Sequence, residues 1–205
     1  MSIGKKKKAL VQKTLAHEFY RCMDAYISFN YYLSNPSGID SKRNRILCYN
    51  SYSDFLAHLY EFYIKIIERS PVFQETGIYK DYASFRCKKS LKKTDVIIKE
   101  EIEKLLRNRK NRIINGYQDN LGLAISFYDQ QVPDKIGQEL SLIRHRRNHV
   151  DSKRISDNKL SLSTFYKKYH NYMVILFEEA RWGWQVEEEC FDWKDIEAFT
   201  KEIRN

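Results

Sequence analysis

Glycine and proline are scarce in this chain, with 7 and 3 among 205 residues. That scarcity sets aside a turn-rich β architecture and favours long, uninterrupted helices. The four cysteines, Cys22, Cys48, Cys87 and Cys190, are too far apart for a zinc knuckle or a redox CxxC pair. A disulfide framework is not expected in a domain of this size without a secretory signal. Long apolar runs are missing too, and no stretch approaches the ~18 consecutive apolar residues of a membrane span. The segment MSIGKKKKALVQKTLAHEF is basic but has no apolar run of signal-peptide length, and Ser2 stands where an N-myristoylated chain has Gly. The expectation is a reducing, cytoplasmic setting without membrane association. A Gly-rich phosphate loop and a GxSxG element are both lacking. The paired acids Glu100–Glu101 and Glu187–Glu189 lie in charge-rich stretches and do not suggest a glycosidase couple.

Positive charge and aromatic side chains are plentiful. Lys and Arg number 36 against 27 Asp and Glu, giving a formal charge of +9. Such an excess biases encounters toward polyanions without dictating a fold. The hydrophobic share of 42% and the 15 Tyr, 11 Phe and 3 Trp suit a globular core. The length matches one domain, taken as 1–205.

Apolar residues recur at steps of three and four from Leu10 through Leu15, Phe19, Cys22, Tyr26 and Ile27, which predicts a first helix ended by SNPSG. A second helical region begins near Ser41. The stretch YNSYSD predicts a break there, with Ser53 or Asp54 capping a new start before FLAHLYEFYIKIIERS. A short helix is expected in IYKDYASF. The stretch KKTDVIIKEEIEKLLRNRKNRIING predicts a long helix, capped at Thr94 or Asp95 and stopped at Gly116. LGLAISFY fits either a short helix or a buried strand. PDKIGQELSLIRHRRNHVD opens on Pro133 and Asp134, as a helix N-terminus should. A further helix starts near Ser163, and DWKDIEAFTKEIR forms another. The pattern as a whole is all-α: an antiparallel bundle of four to five helices with short flanking helices.

The stretch SLIRHRRNHVDSKR concentrates five Lys or Arg and two His in fourteen residues. At about 100° per residue, Ile136, Leu140, Ile143 and Val150 make one core stripe, with Arg147 among them. Leu142, His145 and His149 fall on the far side, and Arg144 and Asn148 flank the stripe. A second face carrying a leucine and two imidazoles suggests a partner surface, most simply a second copy across a two-fold axis. Arg and His together suit RNA phosphodiester cleavage. Imidazole exchanges protons near neutral pH, and a guanidinium fork stabilises charge shifting on phosphate. RNA supplies its own nucleophile, the 2′-hydroxyl, so no metal-activated water is needed. His145 and His149 have the i, i+4 spacing of zinc ligands, but Arg146 and Arg147 stand between them, and no carboxylate occupies the HExxH base position. No metal and no cofactor is expected.

Arg144, His145 and His149 in this context resemble the RX4–6H signature of the HEPN superfamily, whose residue after the arginine is commonly polar. The resemblance covers about Pro133–Asp151 and the general helical pattern. It implies a helical bundle that dimerises through the motif-bearing helix, so that two motifs line one cleft. In active members it implies metal-independent endoribonuclease activity leaving 2′,3′-cyclic phosphate ends. Carried over by position, Arg144 binds the scissile phosphate and His149 transfers a proton, with His145 and Asn148 supporting. Arg146, Arg147, Lys153 and Arg154 are candidate RNA-binding residues, although a basic helix end also complements the helix dipole with no ligand at all. The resemblance further implies a prokaryotic defence, toxin or stress role with an antitoxin or defence-complex partner. Asp151 stands where toxin members often carry a modifiable Tyr, which disfavours control by nucleotidylation.

Two other readings stay open: a HEPN-like domain that binds RNA or a nucleotide or scaffolds a protein without cutting, and a helical interaction module whose basic helix only aids solubility. His17 and His58 lie in apolar, aromatic helices and read as packed or rim histidines. His170 has no place assigned by the sequence. The runs LLRNRKNRIING and RCKKSLKK read as solvated faces or as an electrostatic path for RNA.

Overall fold

A computed structural model describes residues 3–34, 41–67, 91–148, 160–184, 191 and 193–203. These form six α-helices, with no strand among the described residues. In chain order they are α1 (Ile3–Ser34), α2 (Lys42–Ile67), α3 (Leu91–Ile114), α4 (Ile136–Asn148), α5 (Leu162–Gly183) and α6 (Trp193–Glu202). A 3₁₀ turn, Ile125–Asp129, lies between α3 and α4. The all-α expectation holds at this level. Among the described residues no helix is long and apolar enough to cross a membrane.

Aromatic side chains set the pairing of α1 and α2. Phe19 meets Phe62 at 4.9 Å between ring centroids, Tyr26 meets Phe55 at 4.8 Å, and Phe29 meets Tyr52 at 4.8 Å. The numbers rise on one helix as they fall on the other, so the pair is antiparallel. α5 closes on both: Phe177 packs on Phe19 and Tyr26, and Tyr63 donates from its hydroxyl to the Leu176 carbonyl at 2.6 Å. Phe19, Phe55, Phe62, Phe165 and Phe177 are shielded almost completely from water. Fully burying a side chain of this class contributes about 1.5–3 kcal/mol.

Several local predictions are corrected. α2 runs unbroken through YNSYSD, because Tyr52, Ser53, Phe55 and Leu56 are all buried. Packing on both flanks outweighs the turn preference of Asn50, Ser51 and Asp54. The cap is Ser41, whose hydroxyl accepts from the Asn44 N–H at 3.1 Å. α3 begins at Leu91, ahead of the expected cap at Thr94 or Asp95. It ends as expected at Gly116, which has φ +92°. There Gly116 N–H donates to the Ile113 carbonyl and Tyr117 N–H to the Arg112 carbonyl, closing the last turn. α5 is capped by Ser161, which accepts from Thr164 N–H at 3.0 Å, two residues before the expected start. Of the two alternatives for LGLAISFY, the short helix is the one found: its second half, from Ile125, forms the 3₁₀ helix, and no strand forms there. The helix expected in IYKDYASF lies outside the described residues.

Candidate functional site

α4 carries the basic cluster and is wedged against α2 and α3, with a lighter contact to α5. Ile136, Leu140 and Ile143 are buried, as their spacing predicts. Leu142 is not on a free second face. It is partly buried and packs against the core, because α4 meets three neighbours over a wide arc. The partner-facing role expected of it is therefore corrected, while His145 is exposed.

Arg144 projects from α4 toward α2. Its Nη2 meets Glu61 Oε1 as an ion pair, with the Arg144 side chain 29% exposed and Glu61 30%. The guanidinium carbon also lies 5.9 Å from the Tyr60 ring centroid, and Ser141 Oγ donates to the Tyr60 hydroxyl at 3.3 Å. The ion pair is poorly aligned for hydrogen bonding. Arg144 Nε and Glu61 Oε1 are both shielded from water, and neither has a hydrogen-bond partner among the described residues. An unmet donor on a charged group is costly and uncommon in folded proteins.

Arg146 Nη1 donates to the Leu160 carbonyl at 2.7 Å, tying the end of α4 to the approach to α5. Arg147 and Asn148 belong to α4, but their side chains are not among those described, and His149, Lys153 and Arg154 lie outside the described residues. Sequence reasoning missed Glu61 and Tyr60, which sat in a stretch legible only as core helix.

The other histidines have structural surroundings. His58 Nδ1 lies 2.8 Å from Glu18 Oε1 at the rim of the α1–α2 pair, and the His17 ring lies 4.5 Å from Phe191. His170 stacks on Tyr166 at 4.3 Å, with Phe29 and Tyr52 beside it, and its Nδ1 lies 3.3 Å from the Tyr52 hydroxyl. Burial lowers its pKa to about 4.

A second polar cluster joins the end of α3, the turn before α4, and α5. Arg109 was expected to be solvated or to guide RNA, but its side chain is only 7% exposed. It donates from Nε and Nη2 to Asp119 Oδ1 at 3.1 and 2.8 Å, and from Nη1 to Glu179 Oε1 at 3.0 Å. Nη2 also reaches Asn120 Oδ1, and Arg112 pairs with Glu179. Tyr128 donates to Asp119 Oδ2 at 2.5 Å. Burial would raise the Asp119 pKa, but the hydrogen bonds from Tyr128 and Arg109 outweigh it and hold the carboxyl below its ordinary value. Burial and the Asp119 carboxylate push the Tyr128 hydroxyl up to about 12. Lys110 pairs with Asp129 at 2.5 Å, so this stretch of the basic run is largely matched by acids.

A cleft of about 200 Å³ opens over this network, lined by Arg112, Tyr117, Gln118, Asn120, Glu179 and Trp182 among others. Among the described residues, no group of three or more His, Cys, Asp or Glu is placed to hold a metal ion. No family model matches the chain, and comparison with curated proteins and with solved structures finds no match.

Proposed function

We propose that this chain is a HEPN-type, metal-independent endoribonuclease acting in defence, toxin or stress biology, with Arg144 and His149 as its working pair. The single observation that carries the reading is the Arg144 side chain: charged, half-buried, ion-paired with Glu61, and with an unmet Nε donor. Arg109 shows what a purely structural arginine looks like in this fold, its fork filled by aligned acceptors. Arg144 lacks that completion, and a phosphate oxygen supplies the acceptor type it is missing. In the proposed reaction the RNA 2′-hydroxyl attacks the adjacent phosphorus and the P–O5′ bond breaks. The products are a 2′,3′-cyclic phosphate and a 5′-hydroxyl end. His149 moves the proton between attacking and leaving oxygens, and Arg144 balances the phosphate charge. His145 and Asn148 support the pair, Arg146, Arg147, Lys153 and Arg154 track the RNA backbone, and a second copy completes the cleft.

The Glu61 carboxylate on Arg144 favours a second reading, in which the domain binds RNA or a nucleotide, or scaffolds a protein, without cutting. Structured RNA incubated with purified protein, with and without EDTA, separates the two. Cleavage in both conditions, lost in Arg144→Ala and His149→Ala at unchanged helix content, is expected of the nuclease. Glu61→Gln should release Arg144, tighten RNA binding and steepen its salt dependence by about one phosphate contact. Salt-sensitive binding without cleavage supports the non-catalytic domain, and no RNA binding at low salt leaves only an interaction module.

A further inference from the structure

The cleft over the Arg109 network lies at the C-terminal ends of α3 and α5, Arg144 is not among its lining residues, and nothing in the proposed cleavage reaction uses it. Its polar side is unusual. Arg109 and Arg112 place two guanidinium groups against Asp119 and Glu179, so the charges cancel locally. Glu179 Oε1 accepts both arginines, whereas no hydrogen bond among the described residues goes to Oε2. The apolar side is open: Trp182 is 78% exposed and Tyr117 is 67% exposed, both lining the same cleft. Gln118 adds a side-chain amide.

Each feature narrows the ligand. Exposed indole and phenol faces offer stacking to a planar ring. Two helix C-termini carry partial negative charge, which disfavours a phosphate in the cleft and favours hydrogen-bond donors. Both carboxylates are already paired with arginines, so an added ammonium or guanidinium finds no unpaired anion to offset its desolvation, which disfavours amines and guanidines. What remains is a neutral planar ring with adjacent donors on one edge. Among nucleobases, guanine has that edge, its N1–H and N2–H₂ being neighbouring donors. Adenine, cytosine and uracil each place an acceptor lone pair next to a donor, which would face the carboxylate.

We propose that this cleft is a guanine-binding site, with Trp182 and Tyr117 stacking on the base, Glu179 Oε2 accepting from its donor edge, and Gln118 adding an amide contact. The guanine comes either from a free nucleotide or from an unpaired guanosine in RNA. The site is built from the end of α3, the residues just after it and α5, and it does not depend on the cleavage reading.

Isothermal titration calorimetry with the full chain tests this, using GMP, AMP, CMP, UMP and two single-stranded RNA oligomers that differ by one G or A. Saturable binding of GMP with at least about tenfold preference over the other nucleotides is expected. Trp182→Ala, at an exposed position, should weaken it about tenfold or more through the lost stack. Glu179→Gln should erase the preference for G over A. Arg144→Ala should bind GMP like wild type, which separates failure of the cleavage reading from failure of this one. Binding of the G-containing oligomer without GMP identifies the RNA strand as the source, and binding of both admits the free nucleotide. Absence of binding to GMP and to the G oligomer, equal binding of all bases, or indifference to Trp182→Ala overturns the site.

Discussion

His170 should make the fold sensitive to mild acid. Its imidazole is enclosed by Phe29, Tyr52 and Tyr166, and no carboxylate is among these ring neighbours to stabilise an added proton. Tyr52, whose own pKa is raised by burial, keeps its proton and can donate to Nδ1 at 3.3 Å, which favours the neutral ring. The folded-state pKa is thereby lowered to about 4 from the ordinary 6.5. As pH falls below 6.5 the unfolded chain takes up this proton and the folded chain does not. Stability is therefore complete above 6.5, declines from there toward 4, and loses nothing more to this group below 4. At about 1.4 kcal/mol per pH unit the full gap corresponds to roughly 3 kcal/mol. Solvent reaching the partly exposed ring reduces the expected loss to about 2 kcal/mol. Urea denaturation followed by circular dichroism at several pH values, for wild type and His170→Gln, measures it. Carboxylates titrate in both proteins, so the difference between them isolates His170. A wild-type-minus-variant difference that stays flat as the pH is lowered would refute the assignment of a neutral, desolvated imidazole.

Two further outcomes test the packing directly. Arg109→Met should lower stability by about 3–5 kcal/mol, because it leaves the Asp119 and Glu179 carboxylates without their buried cation. A thermal midpoint within a degree or two of wild type would contradict the network. Gly116→Ala should cost about 1–2 kcal/mol in urea denaturation, since the residue holds φ +92° while a Cβ there meets nothing within 4 Å. The loss is purely one of backbone conformation, so an unchanged midpoint would argue against this helix stop.

How far the site was legible differs residue by residue. The Ile136, Leu140 and Ile143 stripe follows from spacing alone, since a helix repeats its face every three or four residues whatever lies opposite. The Gly116 stop is equally local, because a left-handed turn selects glycine before any tertiary contact forms. A helical wheel places Leu142 on the wrong side because it gives direction around one helix, not how many neighbours surround it. The Glu61 partner of Arg144 and the Glu179 partner of Arg109 lie far along the chain, and no local pattern signals either. Asp119 is nearer, ten positions after Arg109 in the segment that follows α3.

Sequence alone determined that this chain is helical, basic and rich in core aromatics, because periodicity, charge and turn preference act over a few residues. Tertiary structure decided that α2 continues through a stretch of turn-forming residues. It also decided which arginines are spent on carboxylates: Arg109 is absorbed into a filled network, while Arg144 is left half-satisfied. The physical reason is that the cost of an ionised group depends on what surrounds it in space. That surrounding is assembled from helices far apart in the chain.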